Sequence, residues 1–238
     1  MNSMFTPRME ILPPAQQLLW RELGATVAMG FVLYGGTAIA LRLGHRASVD
    51  FDFFSEAPLD RQAIRAVFPF MALSTVLQDE SNSLSILVPY GDADHTHVKV
   101  SFFGTIAFGR VGVPDKTADG VLQVASLDDL MATKLKVVLQ RAEAKDYRDI
   151  AAMLKAGVSL AKGLASASVL FTPTFQPSES LKALVYFHDG DLATLTHGEK
   201  VTLAHAVSAV RDLPSAVVLS SHLGTETPLS TSPGDSLK

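Results

Sequence analysis

YGGTAIALRLGHRASVDFDFF, residues 34–54, is the stretch that decides the fold. It closes a short apolar run, Gly30-Phe31-Val32-Leu33-Tyr34, that reads as a buried strand rather than a helix. Gly35-Gly36 interrupts the run, Thr37 to Leu43 follows as a short helix, and Gly44 stops it. Val49 to Phe54 then alternates with the period of a strand, which sets Asp50 and Asp52 on one face and Phe51 and Phe53 on the other.

Two features of this stretch carry chemistry. A strand that turns sharply into a helix leaves backbone N–H groups open at the helix start, where phosphate is attracted; a plain tight turn has the same sequence. The carboxylates are the stronger sign. Beside Phe51, Phe53 and Phe54 they are costly to leave unpaired, and a divalent cation relieves their repulsion. Mg2+ commonly takes one or two protein carboxylates and completes its shell with substrate phosphates. The pair is in the right form to hold metal against a nucleoside triphosphate, although a solvated strand could carry it without function.

Outward from this stretch, Gln16 to Leu23 reads as a helix after Pro13-Pro14, and Pro58 to Phe68 as another. Leu84–Val88 and Val98–Phe103 read as strands joined by a polar loop containing Asp92, Asp94, His95 and His97. That loop has metal-ligand residue types, but a polar hairpin tip needs no metal to explain it. Ser126-Leu127-Asp128-Asp129 resembles a capping box with Asp in place of Glu and opens a helix through about Arg141. Further helical stretches cover Lys145 to Leu154, Ser180 to Phe187 and Glu199 to Val210. From Pro214 to Lys238 the chain is rich in Ser, Thr, Pro and Gly, and the expectation is a disordered tail. Strands dominate the first half and helices the second. The expected class is α+β, a mixed α/β core with a mixed sheet over residues 1–125, a helical region over 126–213 and a tail over 214–238.

The 238 residues are 47% apolar, enough for a substantial core. Cysteine is absent, which excludes thiolate catalysis, Cys-ligated zinc and thiol redox switching. The first residues hold no apolar stretch long enough for a signal peptide. The longest apolar stretch, Val27 to Leu41, is cut by glycines and falls short of a membrane span. The expectation is a cytoplasmic protein without membrane contact. The net charge of −4, from 20 basic and 24 acidic residues, argues against coating nucleic acid with the whole surface. A local basic patch is still allowed. Lys134, Lys136, Arg141, Lys145 and Arg148 are interleaved with Glu143, Asp146 and Asp149, as a solvated helical face or as a track for RNA phosphates.

Taken in order, YGGTAIALRLGHRASVDFDFFS, LQVASLDDLMATKLKVVLQRAEAKDYRDIAAML and LKALVYFHDGDL resemble the AbiEii/AbiGii toxin family of nucleotidyltransferases, a branch of the polymerase-β-like superfamily. The resemblance spans most of residues 30 to 210. It implies that Gly35, Gly36, Thr37 and Ser48 bind the nucleotide and that Asp50 and Asp52 are ligands of Mg2+. It also implies that Lys134 is the active-site lysine and Asp146 the acid of the Lys-Asp motif. The implied activity is transfer of a nucleoside monophosphate from a nucleoside triphosphate, with tRNA as acceptor and a cognate antitoxin protein as partner. Without the resemblance, Lys134 reads as a solvated helix residue and Asp146 as an acid favoured at a helix start. In the wider superfamily a third carboxylate often stands on a neighbouring strand; here that position falls on Ser101, which cannot replace a charged ligand. Two rival functions remain open at this point: an antibiotic-type nucleotidyltransferase acting on a small molecule, and a nucleotide-binding module that does no chemistry.

Overall fold

Residues 3–90 and 97–225 are described by a computed structural model, in which eight extended segments hydrogen-bond into one sheet. They are β1 (Met4–Phe5), β2 (Val32–Tyr34), β3 (Asp50–Phe54), β4 (Thr75–Glu80), β5 (Ser83–Pro89), β6 (His97–Phe103), β7 (Asp115–Thr117) and β8 (Gln123–Val124). Their spatial order is β1-β7-β8-β2-β3-β6-β5-β4. β1 runs parallel to β7, β8 to β2 and β3 to β6, while the other neighbours are antiparallel, so the sheet is mixed as expected. The helices are α1 (Pro14–Leu19), α2 (Ala25–Ala28), α3 (Gly35–Leu43), α4 (Arg61–Val67), α5 (Leu127–Val137), α6 (Ala144–Lys155), α7 (Leu160–Leu170), α8 (Pro177–Ala183) and α9 (His197–Ala209).

The central strand has the alternation read from the sequence. Phe51 and Phe53 are fully buried, and on the adjacent β6 so are Val98, Val100 and Phe102. The opposite face of this pair turns Asp50 and Asp52 toward α3 and the helices of the second half, because α3 packs on β3 and also against α5 and α6. Gly44 ends α3 in the left-handed region (φ 67°) and donates its N–H to the Ala40 carbonyl.

Two expectations change, two elements are added, and one loop lies mostly outside the described residues. The helix placed over Gln16 to Leu23 is α1, then a tighter 3-10 turn over Trp20–Gly24, then α2. The capping box at Ser126 is half complete: the Ser126 hydroxyl accepts from the Asp129 N–H, but the Asp129 carboxylate accepts from the N–H groups of Val111 and Gly112. The shorter acid reaches back only to the Ser126 hydroxyl (2.5 Å), not to its backbone N–H, and pins the incoming connector as well. β4 and α7, unmarked in the sequence reading, are present. The polar loop's Asp92, Asp94 and His95 lie outside the described residues, and His97 is the first residue of β6.

The expected disordered tail needs the largest correction. Residues 214–225 are described, and from Leu219 onward they dock as a strap. Arg110 and Ser220 form a β-bridge, with Arg110 N–H donating to the Ser220 carbonyl at 2.9 Å and Leu219 N–H to the Arg110 carbonyl at 2.8 Å. Glu56 accepts from the Leu223 N–H (3.1 Å) and meets His222 Nδ1 (2.9 Å), and the Leu223 side chain is fully buried. A composition poor in apolar residues still docks when backbone hydrogen bonds and one leucine supply the contacts. Residues 226–238 lie outside the described residues.

Candidate active site

The β2–α3 turn explains why two glycines stand together. Gly35 has φ +76°, and a Cβ there would lie 2.8 Å from Asp52 Oδ2. A Cβ on Gly36 would collide with the Arg46 guanidinium and stand 3.3 Å from Asp149 Oδ2. Backbone and carboxylate thus approach each other more closely than any side chain permits. Thr37 and Ser48 are buried and their hydroxyls meet at 2.7 Å, while Thr37 also donates to the Asp50 carbonyl. Both line the cleft, and their hydroxyls tie α3 to the entry of β3.

Asp50, Asp52 and the glycine turn form the floor of a cleft of about 500 Å³. Burial pushes the Asp52 carboxyl up, and the like charge of Asp50 adds to this; Lys99, Lys134 and the Ser101 hydroxyl act the other way without reversing it. Ser101 stands in register with Asp52, at the position where a third carboxylate was considered, and it accepts a hydrogen bond from Ser85 (3.1 Å). Among the described residues, no cluster of three or more acidic, His or Cys ligands occurs. The floor therefore carries two acids, one with its charge disfavoured and neither in an ion pair with a described residue. That is a donor set suited to a hard divalent cation whose other ligands are water and phosphate.

Lys134 reaches this cleft from α5. It is buried, with Nζ 2.6 Å from Asp146 Oδ1 and 2.7 Å from Asp149 Oδ2. Asp146 also receives the Arg141 Nε (2.9 Å). Asp149 receives Arg46 Nε (2.7 Å) and Nη2 (3.0 Å), and meets His45 Nε2 at 2.7 Å. Burial pushes both acids up, but it is outweighed. For Asp149 the hydrogen bonds from His45 and Arg46 and the charge of Lys134 hold the carboxyl well below the usual range. For Asp146 the charge of Lys134 and the Arg141 hydrogen bond do the same.

The sequence reading found Asp50, Asp52, Gly35, Gly36, Lys134 and Asp146 in one place, and they do share this site. It missed Asp149, Arg46 and Lys99. The Asp149 signal was the Lys-Asp-x-x-Asp spacing, in which both acids fall one turn apart on α6 and so face the same neighbour. The basic run divides. Lys134, Lys136, Arg141 and Lys145 line the cleft. Lys136 donates to the Thr174 carbonyl (3.0 Å), and Arg148 turns instead to Thr194 and Glu199.

A mixed sheet with this cleft has the nucleotidyltransferase fold. A crystal structure from H. pylori assigned to that class superposes with a TM-score of 0.55 at 17% identity, over 81% of this chain and 92% of that one. The chain belongs to the AbiEii family: the sequence profile described as "Nucleotidyl transferase AbiEii toxin, Type IV TA system" matches residues 17–175. It is an enzyme of the nucleotidyltransferase class, in a toxin family of type IV toxin–antitoxin systems. An uncharacterized protein of Aquifex aeolicus (strain VF5) is 29% identical over 177 residues, 73% of this chain and 82% of that one. The nucleotidyltransferase toxin MenT4 of Mycobacterium tuberculosis H37Rv aligns over 83% of this chain and 91% of that one, at 16% identity and a TM-score of 0.45. No helix among the described residues is long and apolar enough to cross a membrane.

Proposed function

We propose that this enzyme transfers a nucleoside monophosphate from a nucleoside triphosphate to tRNA, using Mg2+ held by Asp50 and Asp52, and that a separately encoded antitoxin opposes it in the cytoplasm. The observation that carries the reading is the shared face of Asp50 and Asp52 against Gly35, on the floor of a cleft that also holds Lys134. When bound, Mg2+ would supply charge neutralisation at the α-phosphate and lower the pKa of the attacking hydroxyl.

The chain's own residues do the rest. Gly35 and Gly36 offer backbone N–H groups at the start of α3, where a phosphate is favoured. Thr37 and Ser48 keep that turn fixed against β3. Lys134, held by Asp146 and Asp149, presents positive charge to oxygens on which negative charge develops as pyrophosphate leaves. Asp146 thus acts by orienting the lysine. In this reading residues 1–125 form the catalytic core, and the helical region 126–213 closes the cleft. Arg46, Lys99, Lys136, Arg141 and Lys145 on the cleft wall favour a polyanionic acceptor such as tRNA over a small neutral one.

Incubating the full chain with each α-labelled nucleoside triphosphate, Mg2+ and total tRNA checks the reading. Label should enter tRNA with the wild type and with neither Asp50→Ala nor Asp52→Ala. Full activity of both variants would remove the site assignment. Transfer to a small hydroxylated acceptor and never to tRNA would replace the acceptor.

A further inference from the structure

The cleft changes character along its length. β3 and β6 run parallel and in register, so Asp50 stands beside Lys99, Asp52 beside Ser101 and Phe54 beside Phe103. All six residues occupy alternate positions on the face turned to the cleft. The wall passes from ions, through the carboxylate that touches the glycine turn, to aromatic rings. At about 3.3 Å of rise per residue, Asp50 and Phe54 stand about 13 Å apart along the strand, a span that accommodates a nucleotide from its phosphates to its base.

The aromatic end is larger than these two rings. Phe108, from the connector after β6, and Phe171, from the end of α7, also line the cleft, with centroids 5.2 Å apart in an edge-to-face pair. Phe54 meets Phe103 edge to face at 5.2 Å and Phe108 at 6.4 Å, and Tyr34 stacks behind Phe54 at 4.9 Å and 12°. Phe51, Phe53 and Phe102, on the opposite face of the same strands, are completely buried, whereas Phe54, Phe103, Phe108 and Phe171 are half-buried. Leaving four phenylalanines partly in water, in a cleft whose other end holds the charged residues, forgoes the gain of burying them. A flat apolar ligand would recover it.

We propose that Phe54, Phe103, Phe108 and Phe171 form a nucleobase-stacking wall that seats the base of the nucleoside triphosphate or of the acceptor's reacting nucleotide. The wall rests on the nucleotidyl-transfer reading and adds where the base lies. Stacking on aromatic faces tolerates any base, so the wall supplies affinity and orientation. A single aromatic contact of this kind is worth roughly a 5- to 150-fold change in binding by alanine substitution.

Calorimetric titration of the full chain with ATP, CTP, GTP, UTP and inorganic tripolyphosphate, each with Mg2+, tests the wall. Phe108→Ala and Phe171→Ala should weaken the triphosphate that binds best by about 5-fold or more and leave tripolyphosphate within about twofold. Phe54→Leu keeps apolar bulk without the flat ring and should show the same selectivity, which separates stacking from folding. If triphosphate affinity holds while the KM for total tRNA rises in these variants, the base on the wall is the acceptor's. Equal loss for nucleotide and tripolyphosphate, or no change in either affinity or in the KM for tRNA, overturns the wall while leaving nucleotidyl transfer standing. A wild type that binds neither nucleotide nor tripolyphosphate removes both.

Discussion

Lys134 and Asp149, on successive helices, hold opposite charges 2.7 Å apart, and both are buried. The same carboxylate is gripped on its other side by Arg46 from the loop after α3, so one acid joins the glycine turn, Lys134 and α6. Asp149→Ala should cost about 3–5 kcal/mol in a urea unfolding measurement, because it breaks a buried ion pair, leaving Lys134 with Asp146 alone and Arg46 without its carboxylate. Its pH dependence has a definite sign. The folded carboxyl lies below its unfolded value, so its contribution is complete above the usual carboxylate range and is lost as the pH falls from there through the depressed folded value. The stability gap between wild type and Asp149→Asn should therefore narrow on acidification.

Lys134 and Lys136 separate by function. Lys134 is buried between two aspartates, while Lys136 donates to the Thr174 carbonyl and hydroxyl. Lys134→Ala should lower kcat by about 100-fold or more, the scale of losing one preorganised charge in a water-poor site. Lys136→Ala should stay within about threefold in kcat, since its Nζ is held by the Thr174 carbonyl and hydroxyl at the cleft wall rather than by Asp146 and Asp149. Initial rates of label transfer decide between them.

Asp52 behaves in the opposite sense to Asp149. Burial and the neighbouring Asp50 raise its carboxyl above the unfolded value, so ionised Asp52 destabilises the metal-free fold above that raised range and ceases to do so in acid. In chelator at neutral pH, Asp52→Asn should raise the melting temperature, and the gain should vanish as the pH falls below the carboxylate range. Adding Mg2+ should raise the wild-type melting temperature and leave Asp52→Asn nearly unmoved, since a ligand stabilises only the form that binds it.

The strap should matter to stability. Leu223→Ala should cost about 2–5 kcal/mol, as other buried leucine truncations do. Truncation after Leu213 should lower the melting temperature further, because it also removes the Arg110 bridge and both hydrogen-bond partners of Glu56. Differential scanning calorimetry of the two variants checks the order.

What the sequence disclosed depended on local rules. The Asp50–Phe54 strand was legible because side chains alternate every second residue. The turn was legible because Gly35 and Gly36 have no common substitute where a backbone meets a carboxylate. Ser101 was singled out by the superfamily resemblance as the place of a third carboxylate, and the register sets it beside Asp52. β4 escaped because all its residues are exposed, so Thr75 to Glu80 show no buried face to alternate with. α7 escaped because its interior is mostly Ala, Ser and Gly; Gly163 packs where a Cβ would strike Met131, a close approach no periodicity reports. Asp149 looked like one more acid on a charged helix, since its partners Arg46 and His45 are distant in sequence. The strap escaped for the same reason: Glu56 and Leu223 reveal their relation only in space.

That separation also orders events during synthesis. The amide of Leu223 that bonds Glu56 is made 167 residues later, and the His222 carbonyl that accepts from Arg110 is made 112 residues later. Asp50, Asp52 and Lys134 have all left the ribosome while the slot for Leu223 still stands open. The nascent chain must keep β3 and its neighbours aligned without the brace, against the entropy of closing so long a loop. Translation that stops short of Leu219 yields Asp50, Asp52 and Lys134 without the strap that fastens Glu56 and Arg110.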